Sequence, residues 1–289
     1  VAQWAAEVGI DEALARRLLS EQFAPLPERS LVALSEGWDY AVYRVDDVWL
    51  FRFPRREVVV PGAEREIAVL PRLDVPVPVP RPEYVGAPSD AFPWPFYGAP
   101  YLPGEEAVGL DDDARASLAR PLARFLRALH AHDLELPIDL QRRSDMTFRV
   151  PRIRKALAEI ADLWEPPPLV EDMLREAAAL PVPEPTAVVH GDLHFRQLLV
   201  HEGELSGVID WVDVCRADPG QDLQLVWSFL PPAARSEFLA EYGPVSDASL
   251  LRARVLALNL NAILARYGHD VGMAAVEIEA LDALGRTVA

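Results

Sequence analysis

The stretch VVHGDLHFRQLLVHEGELSGVIDWVDV, which starts at Val188, sets three polar side chains between short apolar runs: Asp192, Gln197 and Asp210. Asp192 stands in a polar loop, Gln197 follows it closely, and Asp210 ends a later apolar run. A carboxylate, an amide oxygen and a second carboxylate can together hold a divalent cation against a phosphate and orient a hydroxyl toward it. His190 and His194 flank Asp192, so H-x-D-x-H also admits a metal hydrolase. No other His or Cys cluster with metal-ligand spacing supports that second reading.

Short strands must carry these groups. Val188-Val189 and Leu198-Leu199-Val200 read as strands around the polar loop, and Gly207-Val208-Ile209 as a third ending at Asp210. Upstream, residues 11–24 have helical spacing, with Leu14, Leu18, Leu19 and Phe23 on one side. Strand-like runs follow at Ser30–Ser35, Tyr40–Val45 and Val48–Phe53, with Asp46-Asp47 as a tight turn between the last two. A helix over 63–73 and short strands near Glu83–Val85 and Pro95–Tyr97 complete a small, mainly antiparallel sheet with one main helix. From Tyr101 the pattern becomes helical. Asp111-Asp112-Asp113 caps a helix over 114–131, and further helices are expected over 150–163, 169–180, 221–229, 233–242, 249–267 and 271–284. The fold class is therefore α+β, with residues 1–100 as one lobe and 101–289 as a larger, mainly helical one.

The chain has 289 residues, 51% of them apolar, enough to bury a full core. No apolar run reaches the length of a membrane span and no basic-then-apolar leader opens the sequence, so no membrane association is expected. With Cys215 as the only cysteine, a disulfide framework is excluded and a cytoplasmic location is expected. A net charge of −17 argues against nucleic acid as a partner and favours a cationic small ligand. No obligate protein partner is evident. Lys155 is the only lysine, so arginine supplies nearly all the positive charge.

A strand hairpin with a Gly-containing turn, a basic residue on the next strand, a Glu on the following helix, then HGDLHFRQLL and VIDW, resembles the aminoglycoside phosphotransferase family of the kinase-like fold. Macrolide kinases belong to the same group. The resemblance runs from about Leu31 to the last helices, and the HGDLH–IDW pair is its specific part. It implies a two-lobed protein-kinase-like fold, ATP or GTP as phosphate donor, and Mg²⁺. Asp192 takes the place of the catalytic aspartate, and Asp210 that of the metal-binding acid. Gln197 stands where most members have Asn as a second metal ligand; its stem is one methylene longer, so the ion or the loop must adjust.

The resemblance also assigns the nucleotide site. Arg52 stands at the position of the strand lysine that meets the nucleotide phosphates, keeping the charge and adding a planar fork. Glu66 is its helix partner, with Glu64 as fallback. Ser35-Glu36-Gly37-Trp38-Asp39-Tyr40 is the turn that covers the nucleotide, so Gly37, Trp38, Asp39 and Tyr40 are cofactor-site candidates. Ala99 and Leu102 are candidates for backbone contact with the base, since Pro100 has no N–H to donate. Asp218 is expected to brace the catalytic loop and Asp222 to cap or start a helix. After Asp210 the chain reads WVDVCRADPGQDL straight into a helix, with no long activation segment and no A-P-E, which argues strongly against a protein kinase.

For the acceptor, Asp213, Glu237, Glu241, Tyr267 and Asp270 are candidates, with Glu277 and Glu279 as further acids. A cleft lined with carboxylates would hold an aminoglycoside's ammonium groups. Three readings stand beside that one: a macrolide phosphotransferase with an apolar groove, a metabolic small-molecule kinase, and a nucleotide-binding pseudokinase in which Arg52 and Gln197 mark lost activity.

Overall fold

The alternation of apolar and polar residues in YAVYRV and WLFRFP builds the first sheet. In a computed structural model of the chain, which describes residues 7–23, 26, 30–36 and 39–289, these segments are β2 (Tyr40–Val45) and β3 (Trp49–Pro54). They join β1 (Leu31–Glu36), β4 (Tyr84–Gly86) and β5 (Phe96–Pro100) in an antiparallel sheet of order β1-β2-β3-β5-β4. Asp46 and Asp47 both take positive φ, 51° and 54°, as the tight twisted turn between β2 and β3 requires. Successive strand residues face opposite sides. One side sends Ala41, Tyr43, Val45, Phe51, Phe53 and Phe96 against Ala15, Leu18 and Leu19 of α1 (Glu12–Gln22). The other side carries Arg52, flanked on neighbouring strands by Tyr40 and Tyr97.

The fold divides into two units. The first comprises residues 1–73, 78–103 and 209–212 and contains the sheet, α1 and α2 (Val60–Val69). α2 is shorter than the sequence pattern indicates and ends in a 3-10 turn over Leu70–Arg72, where Pro71 removes an N–H. Its buried residues are Ala63, Glu66 and Val69, so an acid occupies a core position.

The second unit comprises residues 74–77, 104–208 and 213–289. Its helices are α3 (Asp112–Ser117), α4 (Ala119–His130), α5 (Met146–Glu159), α6 (Pro168–Ala178), α7 (Gly220–Leu223), α8 (Leu225–Ser228), α9 (Pro232–Tyr242), α10 (Asp247–Val271) and α11 (Ala274–Val288). Asp111 caps α3 through the Ala114 N–H at 2.8 Å, but the expected single helix over 114–131 breaks at Leu118. α10 packs on α5, α6, α7, α8 and α11. By length and composition alone it is apolar enough to cross a membrane, but 67% of its most apolar stretch is buried inside the protein, so core packing accounts for its character.

Two small ladders complete this unit: β6 (Glu105–Glu106) with β8 (Leu198–His201) and β9 (Glu204–Val208), and β7 (Ala187–Val189) with β10 (Cys215–Ala217). β10 corrects the sequence reading that the chain runs from Asp210 straight into a helix. Cys-Arg-Ala pairs with β7 first, and only then does α7 begin. β6 is also absent from the sequence reading, because two glutamates give no strand signal.

Glu279, on α11, is almost fully buried and accepts from the buried Arg115 at 2.6 Å, from Arg286 and from the Gly109 N–H. Glu279→Ala leaves two guanidiniums without their counter-charge. The expected loss is about 3–5 kcal/mol, read as a lower urea midpoint in equilibrium unfolding.

Candidate active site

The first unit concentrates its charge on the sheet face away from α1. The Arg52 fork donates to Glu66 Oε1 at 2.7 Å, to Asp210 Oδ1 at 3.0 Å and to the Tyr97 hydroxyl at 3.3 Å. Its guanidinium lies 4.3 Å from the centre of the Tyr40 ring. Burial opposes the Arg52 cation, but Glu66 leads the groups that outweigh it, and the pKa is raised. Burial pushes the Glu66 carboxyl up to about 7 against the pull of Arg52. Glu66 also accepts the Trp211 N–H at 3.0 Å, and Arg65 donates to the Val212 carbonyl at 2.8 Å. Gly62 is under Val212, where a Cβ would stand 3.2 Å from that side chain. Trp211 is fully buried. The segment that bears Asp210 is thus fastened from both sides, and Asp210 itself is held at φ 67°, a conformation that costs a non-glycine residue about 1 kcal/mol.

Of the sequence candidates here, Arg52, Glu66 and Asp210 come together with Tyr40 and Tyr97. Glu64 is exposed. Asp39 is partly exposed and paired with Arg56. Tyr40 supports Arg52 from below. Ala99 lies within β5 opposite Leu50 and is buried, whereas Leu102 follows that strand and is partly exposed. Gly37 and Trp38 lie outside the described residues.

In the second unit a fully buried carboxylate organises the loop after β7. Asp222 accepts the His190 N–H at 2.7 Å and the Gly191 N–H at 3.1 Å, and meets His130 Nε2 at 3.1 Å. Gln221 donates to the Gly191 carbonyl at 2.8 Å, and Gln224 to the Leu193 carbonyl. Gly191 has φ 96°, and a Cβ there would stand 2.4 Å from the Asp213 carbonyl oxygen. No other residue fits that close approach. His190 Nδ1 faces the Asp192 N–H at 3.4 Å and His194 Nδ1 the Arg196 N–H at 3.3 Å, so both rings serve the loop's own backbone. Asp192 emerges partly exposed from this frame.

The roles expected for Asp218 and Asp222 are exchanged. Asp222 braces the loop, and Asp218 instead holds the Gly220 N–H at 2.8 Å, the Ser249 hydroxyl at 2.9 Å and Arg252. Helix spacing left Asp222 looking like a cap, and only the approach of the loop to α7 shows its partners. Gln221 and Gln224 gave no sequence signal for the same reason.

Gln197 ends a 3-10 turn, and its Oε1 is buried with no hydrogen-bond partner among the described residues. In the β8–β9 ladder Leu198 pairs with Val208. Gln197 therefore comes one residue before that rung. An unmatched buried amide oxygen next to such a rung fits a cation ligand.

A cavity beside Asp192 is lined by Asp192, His194, Gln221 and Gln224, by Gln141, Arg143 and Arg149, and by Leu256, Asn259, Leu260, Ile263 and Leu264 of α10. The acids expected in the acceptor site are not among these. Asp213 is 2.8 Å from Arg143. Glu237 pairs with Arg120, Glu241 with Arg124 at 3.1 Å, and Asp270 with Arg266 at 2.6 Å. Glu277 faces His269, and Glu279 is the core acid of the Arg115 pair. Tyr267 interacts with Arg196. Arg143, in the turn before α5, and Arg149, in its first turn, were missed in the sequence because that arginine-rich stretch reads as ordinary surface.

The sequence model of the phosphotransferase enzyme family matches residues 30–256. The chain belongs to that family. Aminoglycoside 3'-phosphotransferases of Escherichia coli and Salmonella typhimurium are each 29% identical over 178 residues, or 55% of this chain and 61% of the relative. The match thus spans less than two thirds of those relatives' length. The fold is also that of several solved members of the family. The GDP complex of wild-type aminoglycoside 2'-phosphotransferase-IIIa superposes with a TM-score of 0.68 at 22% identity, covering 96% of this chain and 98% of that one. Macrolide 2'-phosphotransferase MphH from Brachybacterium faecium superposes with a TM-score of 0.61 at 24% identity, covering 95% and 98%. The family's protein-kinase-like α+β fold is therefore the fold of this chain.

Burial pushes the Asp222 carboxyl up, yet His130 first, then His190 and the Gly191 N–H, outweigh it and lower its pKa below the ordinary 3.8. A depressed carboxyl contributes stability above its unfolded pKa and loses it as pH falls through the lower folded value. Asp222→Asn presents an NH₂ to one of the two loop donors, at an expected cost of about 1–3 kcal/mol at pH 7. The gap from the parent protein should narrow below about pH 4, as read by urea unfolding across pH.

Proposed function

We propose that this member of the phosphotransferase enzyme family moves the terminal phosphoryl group of ATP or GTP to a hydroxyl of a small molecule, with Asp192 as the base. The observation that carries the reading is the loop at Asp192. Asp222, Gln221 and Gln224 hold its backbone through buried hydrogen bonds, and the one carboxylate it presents lines a cavity. A carboxylate fixed in that way can align an entering hydroxyl and take its proton while the new O–P bond forms and the bond to the leaving nucleoside diphosphate breaks.

Arg52 is proposed to meet the nucleotide phosphates. Glu66, Tyr97 and Tyr40 fix its planar fork, which matches phosphate oxygens two at a time. Gln197 and Asp210 are the residues that would hold Mg²⁺. The buried, unmatched Oε1 of Gln197 supports that assignment, and the ion would neutralise phosphate charge. Aminoglycosides and macrolides, named in the relatives matched above, are the first acceptors to offer. Asp213, Glu237, Glu241, Tyr267 and Asp270 carry no role in this proposal, because most already pair with arginines.

The test is transfer by the purified chain from Mg²⁺-ATP or Mg²⁺-GTP to kanamycin, erythromycin and simple alcohols, read as nucleoside diphosphate release and product mass. Asp192→Asn is expected to lower kcat about 10²–10⁴-fold with nucleotide affinity unchanged. Nucleotide binding with no transfer to any acceptor would leave a binding module instead. Gln197→Ala is expected to raise the Mg²⁺ concentration for half-maximal rate by about tenfold, and Gln197→Asn to restore much of it. An unchanged Mg²⁺ requirement would remove Gln197 from the ligand set.

A further inference from the structure

The cavity beside Asp192 contradicts the net charge of the chain. Its lining includes no carboxylate other than Asp192, but it includes two guanidiniums. Arg143 is already answered, by Asp139 at 3.2 Å and Asp213 at 2.8 Å. Arg149 is not. It makes no ion pair among the described residues, donates one N–H to the Gln141 carbonyl at 2.9 Å, and keeps a buried Nε with no hydrogen-bond partner. Burial and the neighbouring Arg143 cation both lower its pKa, with only Asp139 opposing them, as expected of a cation short of counter-charge.

The opposite wall is apolar. Leu256, Leu260, Ile263 and Leu264 follow the spacing of one helix face on α10. Leu260 is partly exposed and Ile263 is 49% exposed, so apolar surface is left for a ligand to cover. The volume, about 240 Å³, is at or below the small end of ligand sites, so only part of a large molecule enters.

We propose that the acceptor is a hydroxyl compound with an apolar face and an anionic group: the hydroxyl meets Asp192, the apolar face covers Leu260 and Ile263, and the anion pairs with Arg149. A polyammonium compound is the poorer match to this cavity, because one of its charges would face Arg149, which has no counter-charge among the described residues. This rests on the phosphotransferase reading above and narrows its acceptor.

Three matched series separate charge from everything else: ω-hydroxy acids, α,ω-diols and ω-amino alcohols of four to eight carbons, assayed beside kanamycin and erythromycin with Mg²⁺-ATP and Mg²⁺-GTP. Each carries the same terminal hydroxyl and chain, and only the far end changes. The hydroxy acids are expected to show kcat/KM at least about tenfold above the amino alcohols of equal length, with the diols between them. Arg149→Glu is expected to reverse that order, and Arg149→Gln, which keeps the length of the side chain, to flatten it. Preference of the unmutated protein for the amino alcohols or kanamycin overturns the acceptor assignment and leaves the phosphotransferase reading standing. An order unchanged in both Arg149 variants also overturns it. Absence of product with every acceptor removes the phosphotransferase reading itself, and this proposal with it.

Discussion

A carboxylate with no access to water must be given donors, and Asp222 obtains them from the backbone of the loop that bears Asp192. That requirement orders the rest of the second unit. The N–H groups of His190 and Gly191 point inward to Asp222, so the carbonyls of Gly191 and Leu193 need donors of their own, which Gln221 and Gln224 supply from the same short helical stretch. Gly191 must then pass close to the Asp213 backbone. From the loop so held, the partly exposed Asp192 supplies the carboxylate in the cavity lining. Each residue in this chain of constraints satisfies a buried polar atom, and a partly satisfied set would cost more than an apolar loop.

The first unit solves a similar problem with arginine. Lysine would offer one point charge at the Arg52 position, but the fork gives Glu66, Asp210 and Tyr97 separate N–H groups while its flat face rests on Tyr40. In a chain with Lys155 as its only lysine, the substitution comes with neighbours shaped to it: two tyrosines on adjacent strands, at the positions that period-two alternation puts beside Arg52.

Residue periodicity was enough to reveal the sheet, because Phe51, Arg52 and Phe53 alternate as a half-buried strand must, and to reveal the long helices, whose apolar stripes are continuous. It failed where partners lie far apart in sequence. Glu105-Glu106 has no strand propensity and forms β6 only because β8 offers an edge. Leu118 interrupts a helix that composition alone would continue. The motif around Asp192 was readable as chemistry, whereas its supports on α7 were not, since nothing local distinguishes a bracing Asp222 from a helix cap. On the acceptor side, the acids named from the sequence do not line the cavity beside Asp192. Net charge counts acids wherever they are, and Glu237, Glu241 and Asp270 are already matched by arginines outside the cavity.

The assignment of Ile209–Val212 to the first unit, with chain of the second unit on either side, has a consequence for how the molecule can be divided. The backbone passes between the units after Leu73, Val77, Pro103, Val208 and Val212, so no single cut separates them. A fragment that stops at Pro103 would keep Arg52 and Glu66 but lose the carboxylate and the N–H that complete their cluster. The two units are stitched rather than strung, so neither can be cut out or transplanted as one continuous segment.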